Sequence, residues 1–392
     1  MINKLKNFDV IIIGAGASGL MCGISAGKRG KRVLIIDHSE KVGRKILISG
    51  GGKCNFTNYN LEPENYICRN PHFVKSALSR FSQWDFLEMV NSYGIPFEER
   101  TYGQLFCKQS SKDILNMLLR ECEKAGVKFQ MSTQIRQIEK KDQYIVETDK
   151  GNFSADSLVI ATGGISWQSA GATNFGYKMA EQFGLKIMPQ KAGLVPLILS
   201  KNQQKTWSEL SGISVNVKME YKDSVFQDEL LFTHKGISGP VVLQISNYWQ
   251  KGKLIFVDFL PKENLKEIII NSKSKQNLKN FMKYFLPERL VKIIISDKIT
   301  DKSIYQYNEK ELDSIVDRFH HYKLIPDRKG SLDKAEVTLG GIDTDEISSK
   351  TFEEKKIEGL FFIGEVLDVT GWLGGYNLQW AWSSGWCAGM FV

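Results

Sequence analysis

The sequence predicts an α/β chain: a Rossmann-like domain for a bound dinucleotide, interrupted by an inserted β-rich domain and a small helical domain. Three observations predict it. A complete strand, glycine turn, helix and strand unit occupies Asp9 to Asp37. Two further strand-into-glycine segments, Asp156 to Gly164 and Ile357 to Gly385, follow far downstream. Between them the texture changes, first to short alternating apolar runs and then to lysine-rich helical periodicity.

In the first unit an apolar strand, Val10 to Ile13, meets Gly14-x-Gly16-Ala17-Ser18-Gly19. A helix is expected to about Arg29, and a second strand, Arg32 to Ile36, ends at Asp37. Gly14 permits the tight turn, Gly16 lets backbone approach a pyrophosphate, and Gly19 lets helix and strand pack closely. The helix N-terminus offers amide donors to phosphate, and Asp37 is placed to accept from a ribose diol. This pattern alone does not separate FAD from NAD. The continuation "HSEKVGRKILISGGG" carries a further glycine, Gly43, with Arg44 and Lys45 behind it, and so resembles the two-dinucleotide-binding-domain flavoproteins. Gly51, Gly52 and Asn55 extend that segment toward the reactive ring, with Lys53 and Asn58 as further contacts to flavin or substrate.

The two later segments point the same way. Ala161-Thr162-Gly163-Gly164 closes a buried strand and resembles the ATGG stretch of those flavoproteins. The strand before Gly364-Glu365 leads through Gly374, Gly375 and Tyr376 into a helix expected from about Asn377. Related chains carry Gly-Asp where Glu365 stands, so its contact to the ribityl chain is an expectation that one extra methylene must satisfy. The helix N-terminus would aim its amides at the pyrimidine edge of a flavin. No second GxGxxG occurs, so any NAD(P)H visits as a transient reductant.

Composition bounds the rest. The chain has 392 residues, 42% hydrophobic and 24% charged, enough for two or three domains and a buried cofactor. Its apolar runs are strand-length and no charged-then-apolar leader precedes Asp9, which reads as a cytoplasmic protein with no membrane span. Six scattered cysteines, without CxxC pairs or nearby histidines, argue against a metal site or disulfide framework. The net charge of +8 fits either a nucleic-acid partner or plain solubility.

The expected domains are 1–192 with 335–392 (cofactor), 193–260 with 322–340 (barrel- or sandwich-like) and 261–321 (helical). Between Lys262 and Lys302 ten Lys or Arg face five Asp or Glu, with Phe281, Tyr284 and Phe285 among them. That is either a solvated helix face or a footprint for a phosphate backbone.

The segments "GRKILISGGGKCNFTN", "NPHFVKSALSRFSQWDF", "GQLFCKQSS", "GATNFGYKMAEQFGL", "LLFTHKGISGPVVLQIS", "AEVTLGGIDT" and "FFIGEVLDVTGWLGGYNLQWAWSSGW" make the chain resemble the BaiN/RdsA family of FAD-dependent oxidoreductases, essentially end to end. The resemblance implies FAD as cofactor and reduction of a carbon–carbon double bond conjugated to a carbonyl. One branch of the family reduces enones in bile-acid metabolism, and another reduces a uridine of 23S ribosomal RNA to dihydrouridine. The long motifs here are worded most like the ribosomal branch.

Such a reduction needs the acceptor held against the flavin, a polarised carbonyl and a proton. Cys54 is a candidate proton donor or else a small side chain packed beside the cofactor. His234, in "LFTHKGISGP", is a candidate donor or polariser or else a turn residue satisfied by backbone. His320 and His321 read as surface. Three functions stay open at this point: the ribosomal RNA enzyme, a small-molecule enone reductase, and a flavin-stabilised RNA-binding or assembly factor without turnover. The oligomeric state is not legible.

Overall fold

The computed structural model describes residues 5–295, 299 and 301–392. Residues 296–298 and 300, inside the basic stretch Lys262 to Lys302, lie outside the described residues. The chain forms two compact units, Met1–Lys191 with Val337–Val392, and Ala192–Glu336.

The first unit is organised by strands too apolar to face water on either side. Val10, Ile11, Val33, Ile35, Leu158 and Val159 are essentially without exposed surface, as central parallel strands covered on both faces must be. Their order is Lys128–Gln130, Val33–Ile36, Lys6–Ile13, Gly151–Ile160 and Leu360–Phe362, all parallel. Ile11 sits between Leu34 and Leu158 in register. The start of Gly151–Ile160 instead pairs antiparallel with Tyr144–Thr148, which pairs with Ile135–Lys140.

Two helices make the layer that matters for the site. Ala17–Lys28 follows the first strand, and Tyr376–Gly389 packs along it. Close approach requires glycine on the second helix: a Cβ on Gly385 would lie 2.3 Å from the Ser18 carbonyl oxygen. The rest of Tyr376–Gly389 is buried on most sides, and its polar residues Gln379, Ser383 and Ser384 are hydrogen-bonded within the core. Trp382 stacks on Phe86 at 4.6 Å and donates its indole N–H to the Phe56 carbonyl.

Smaller sheets frame this layer. Asn55–Asn58, Gln104–Cys107 and Phe97–Glu99 form one, and Tyr66–Cys68 pairs with Val369–Gly371 in another. The "ISGGG" stretch is the end of a helix, Arg44–Gly52, broken where Ser49 is extended and Gly50 and Gly51 turn left-handed. Glycine makes that reversal cheap, and periodicity carried no sign of it.

In the second unit the alternating runs form one seven-stranded antiparallel sheet, with Ser214–Tyr221 between Ser224–Thr233 and Ile255–Asp258. A barrel or sandwich was expected. Val217, Met219 and Val257 instead share one core with Leu265, Leu278, Leu290 and Phe319 of the helices Leu265–Asn271, Leu278–Met282, Glu288–Ile295 and Glu309–His320. Alternation shows that one sheet face is buried, not what buries it. His320 also departs from the surface reading: its Nδ1 lies 2.9 Å from Asp258 Oδ1, while His321 is exposed.

Among the described residues no helix is long and apolar enough to cross a membrane, and no cluster of three His, Cys, Asp or Glu could hold a metal ion. All six cysteines are free.

Candidate cofactor-binding site

The glycine fingerprint is built for contact at two positions and for space at a third. A Cβ on Gly14 would meet the Ala161 carbonyl oxygen at 2.4 Å, and one on Gly19 would meet the Gly14 oxygen at 2.0 Å. At Gly16 a Cβ would meet nothing within 4 Å, so that face is open. The helix Ala17–Lys28 begins there with no side-chain cap and no acid in its first turn, leaving its amides for an outside acceptor.

Asp37 is held by backbone. Its Oδ2 accepts from Ala15 N–H at 2.7 Å and its Oδ1 from Ser39 N–H at 2.7 Å, with His38 Nδ1 3.4 Å away. A carboxylate has more acceptor sites than these donors fill, which leaves capacity for a ribose hydroxyl. Gly43 ties the next segment to the fingerprint, its N–H donating to the Ala15 carbonyl at 2.9 Å. Arg44 reaches the Ser169 carbonyl at 2.9 Å.

Lys45 and Glu365 meet at 2.9 Å. Glu365 Oε1 also accepts from Thr338 N–H at 2.9 Å and Ser166 Oγ at 3.2 Å. Thr338 in turn accepts from the amides of Ile165 and Ser166, both at 3.0 Å. Glu365 therefore organises the turn after Ala161–Gly164, and Oε2, with one donor, keeps acceptor capacity for the expected ribityl contact. Gly164 has no room for a side chain against Thr338. Thr162 Oγ1 is buried without a hydrogen-bond partner.

At the other end, Asn55 joins two segments. With its amide oriented so that both ends are satisfied, Oδ1 accepts from Gly375 N–H at 3.1 Å and Nδ2 donates to the Leu105 and Thr57 carbonyls at 3.2 and 3.3 Å. Asn58 donates to the Gly374 carbonyl at 2.8 Å. A Cβ on Gly375 would lie 2.3 Å from the Thr57 oxygen, and its φ of +96° is a conformation that favours glycine. Asn377 is satisfied by its own loop, accepting from Gly371 N–H at 2.9 Å and donating to the Gly371 carbonyl at 2.9 Å. Tyr376 is buried, donates to the Asn60 carbonyl at 3.2 Å and has its phenol pushed up to about 12 by burial. Ser18 lies beneath Gly364 and Gly385. Gly51 has open space where a side chain would project, while Gly52 and Gly163 adopt left-handed turns.

The two candidate proton donors have different settings. Cys54 has no exposed surface, sits in the first unit's core and has its thiol pushed up by burial. His234 is in the second unit, exposed at the turn where Thr233 and Gly236 close the hairpin between Ser224–Thr233 and Gly236–Ser238. Lys53 reaches the Lys108 carbonyl. Thr338 and Ser166 escaped the sequence reading. The only signal for either was a lone hydroxyl beside a glycine-containing segment.

A parallel sheet carrying this fingerprint, acid clamp and uncapped helix N-terminus defines a Rossmann-type FAD-binding domain, and the open Gly16 face with the spare acceptor capacity of Asp37 fits that cofactor. A solved quinol-fumarate reductase with menaquinol molecules shares the fold over 98% of this chain and 70% of its own, with a TM-score of 0.52 at 15% identity. The chain belongs to the HI0933-like protein Rossmann domain family, which it matches over residues 8–391. It is 47% identical to the ribosomal RNA dihydrouridine synthase of Escherichia coli (strain K12), covering 98% of both chains. It is 27% identical to the 3-dehydro-bile acid delta(4,6)-reductase of Clostridium scindens (strain ATCC 35704), covering 96% of this chain and 97% of that one.

Proposed function

We propose that this chain is an FAD-dependent oxidoreductase that reduces a uridine of ribosomal RNA to dihydrouridine, with NAD(P)H as the transient reductant. The observation that carries the reading is the end-to-end identity of 47% to a ribosomal RNA dihydrouridine synthase, against 27% to a bile-acid reductase. In balance, NAD(P)H, a proton and uridine give NAD(P)⁺ and dihydrouridine.

Bound FAD would supply the hydride for the carbon β to the uracil carbonyl. The rest falls to the chain. Gly14 to Gly19 and the open helix N-terminus would hold the pyrophosphate, and Asp37 the ribose. Lys45, Glu365, Ser166 and Thr338 would keep the turn after Gly163 in shape beside the cofactor. Asn55, Asn58, Gly374 and Gly375 would set the start of helix Tyr376–Gly389, whose amides favour negative charge. Of the two candidate proton donors, His234 is exposed and Cys54 has no exposed surface. A ribosomal RNA substrate would place the protein in the cytoplasm, with the helices of 261–321 as its RNA-facing part.

Nucleoside analysis of ribosomal RNA from a deletion strain tests the reading. Loss of one dihydrouridine, restored by the wild-type chain, is the expected result; an unchanged level rejects the substrate. The end-to-end similarity to the bile-acid reductase supports a second reading, a small-molecule enone reductase, which predicts turnover of a free enone at a rate indifferent to salt.

A further inference from the structure

We infer that the second unit carries a single-stranded RNA platform built from Tyr284 and Tyr305 and bordered by Lys273, Lys275 and Lys279. The inference rests on the ribosomal RNA reading and gives it a binding surface.

Both tyrosines are strongly exposed, Tyr284 by 72% and Tyr305 by 63%. They come from segments on opposite sides of helix Glu288–Ile295, and one stretch of backbone joins them. Asn277 and Ser303 form an antiparallel bridge, Ile304 N–H donates to the Gln276 carbonyl at 3.1 Å, and Ser303 Oγ donates to the Lys275 carbonyl at 2.9 Å. Gln276 then donates to Tyr284 Oη at 3.2 Å. Gln276 therefore joins the two segments, bonding the Tyr284 hydroxyl through its side chain and the residue before Tyr305 through its carbonyl. Leu278, Phe281 and Ile304, from the same two segments, are buried, and Phe281 meets the Tyr284 ring edge-on at 6.5 Å.

The segment that carries Tyr284 is basic. From Asn271 to Pro287 the chain carries four lysines and no carboxylate. Lys283 is shared with Glu288 at 3.3 Å, but Lys273, Lys275 and Lys279 enter no ion pair among the described residues. Asp301 borders the patch, and its Oδ1 accepts from the Lys279 backbone amide at 3.1 Å. Two other lysines of this unit are paired, Lys266 with Asp313 at 2.5 Å and Lys302 with Glu311 at 2.7 Å. Unpaired cations beside exposed aromatic faces complement a polyanion that also presents flat bases. That is unstacked RNA, since bases inside a helix offer no face to stack on.

The test is fluorescence anisotropy of a labelled RNA strand of about 12 nucleotides, titrated with the FAD-loaded full chain at several salt concentrations. Tyr284→Leu with Tyr305→Leu keeps apolar bulk and removes the stacking faces; affinity should fall about tenfold or more at every salt concentration. Lys273→Gln, Lys275→Gln and Lys279→Gln together should lower the slope of log affinity against log salt by about 2, roughly 0.7 for each phosphate no longer neutralised. Melting temperature, FAD content and NAD(P)H oxidation by a small quinone should stay at wild-type values in both variants. Unchanged affinity in the tyrosine variant overturns the platform, even if the lysine variant is weakened, because a plain cationic face for an acidic protein predicts that split. If the wild-type chain binds RNA through this platform but makes no dihydrouridine, the substrate reading fails and the platform stands.

Discussion

Lys45 Nζ donates to Glu365 Oε2 at 2.9 Å across 320 residues of sequence. The pair fastens the segment that follows the ribose acid to the strand end at the other limit of the chain, and through Thr338 and Ser166 it shapes the glycine turn between them. Lys45→Met leaves a largely enclosed carboxylate without its cation. Stability should drop by about 1–3 kcal/mol, the usual cost of a lost charged partner, and FAD should be released more readily. Thermal melting with and without added FAD checks both, and Lys45→Arg should recover part of each.

Gly16 and Gly19 separate the cofactor's needs from the fold's. Gly16→Ala puts a methyl into open space and suits the backbone there, so apo stability should stay within about 0.5 kcal/mol while FAD affinity falls. Gly19→Ala meets the Gly14 oxygen and should destabilise the apo chain itself by more than about 2 kcal/mol. Chemical denaturation of apoprotein beside FAD titration reads the two effects apart; equal loss of apo stability in both variants contradicts the assignment of an open face.

Cys54→Ala should keep turnover and FAD content, at a cost of about 1 kcal/mol for the buried sulfur. His234→Gln should keep FAD and slow the reductive step on RNA while NAD(P)H still bleaches the flavin. Single-turnover kinetics distinguishes them, and an inactive Cys54→Ala that still binds FAD would return the proton to the thiol.

Acid should undo one tie before the core yields. Burial works against the charge on Glu121, but Lys28 at 2.6 Å, Tyr93 at 2.5 Å and Lys124 at 2.9 Å hold its carboxyl down to about 2. A carboxyl whose folded pKa lies below its unfolded value near 4.3 stabilises the fold above that value and loses the contribution as pH falls toward about 2. With both lysines exposed to screening, the contribution is about 1–2 kcal/mol. Glu121→Gln should flatten the fall in melting temperature between about pH 4.5 and 2 relative to wild type.

Much of the first unit was legible because its signals are local. Val10–Ile13, the three glycines, Val33–Ile36 and Asp37 obey short-range rules of strand burial and turn geometry, and the structure places them accordingly. The break at Ser49–Gly51 was not, because a left-handed turn inside a helix leaves no trace in periodicity.

The sequence by itself determined the dinucleotide unit and the lysine-rich helical stretch, since these follow from residue type and spacing along a few turns of chain. Only the tertiary structure decided what each polar group is spent on. Glu365 stood where a ribityl ligand was expected, and its partners Lys45, Ser166 and Thr338 come from three distant segments. Cys54 was a thiol beside a glycine loop until packing around it removed all its exposed surface. Tyr284 and Tyr305 became neighbours of one backbone segment through hydrogen bonds that close a long loop. Burial and hydrogen-bond partnership are set by which remote segments the folded core brings together, and local pattern does not carry that information.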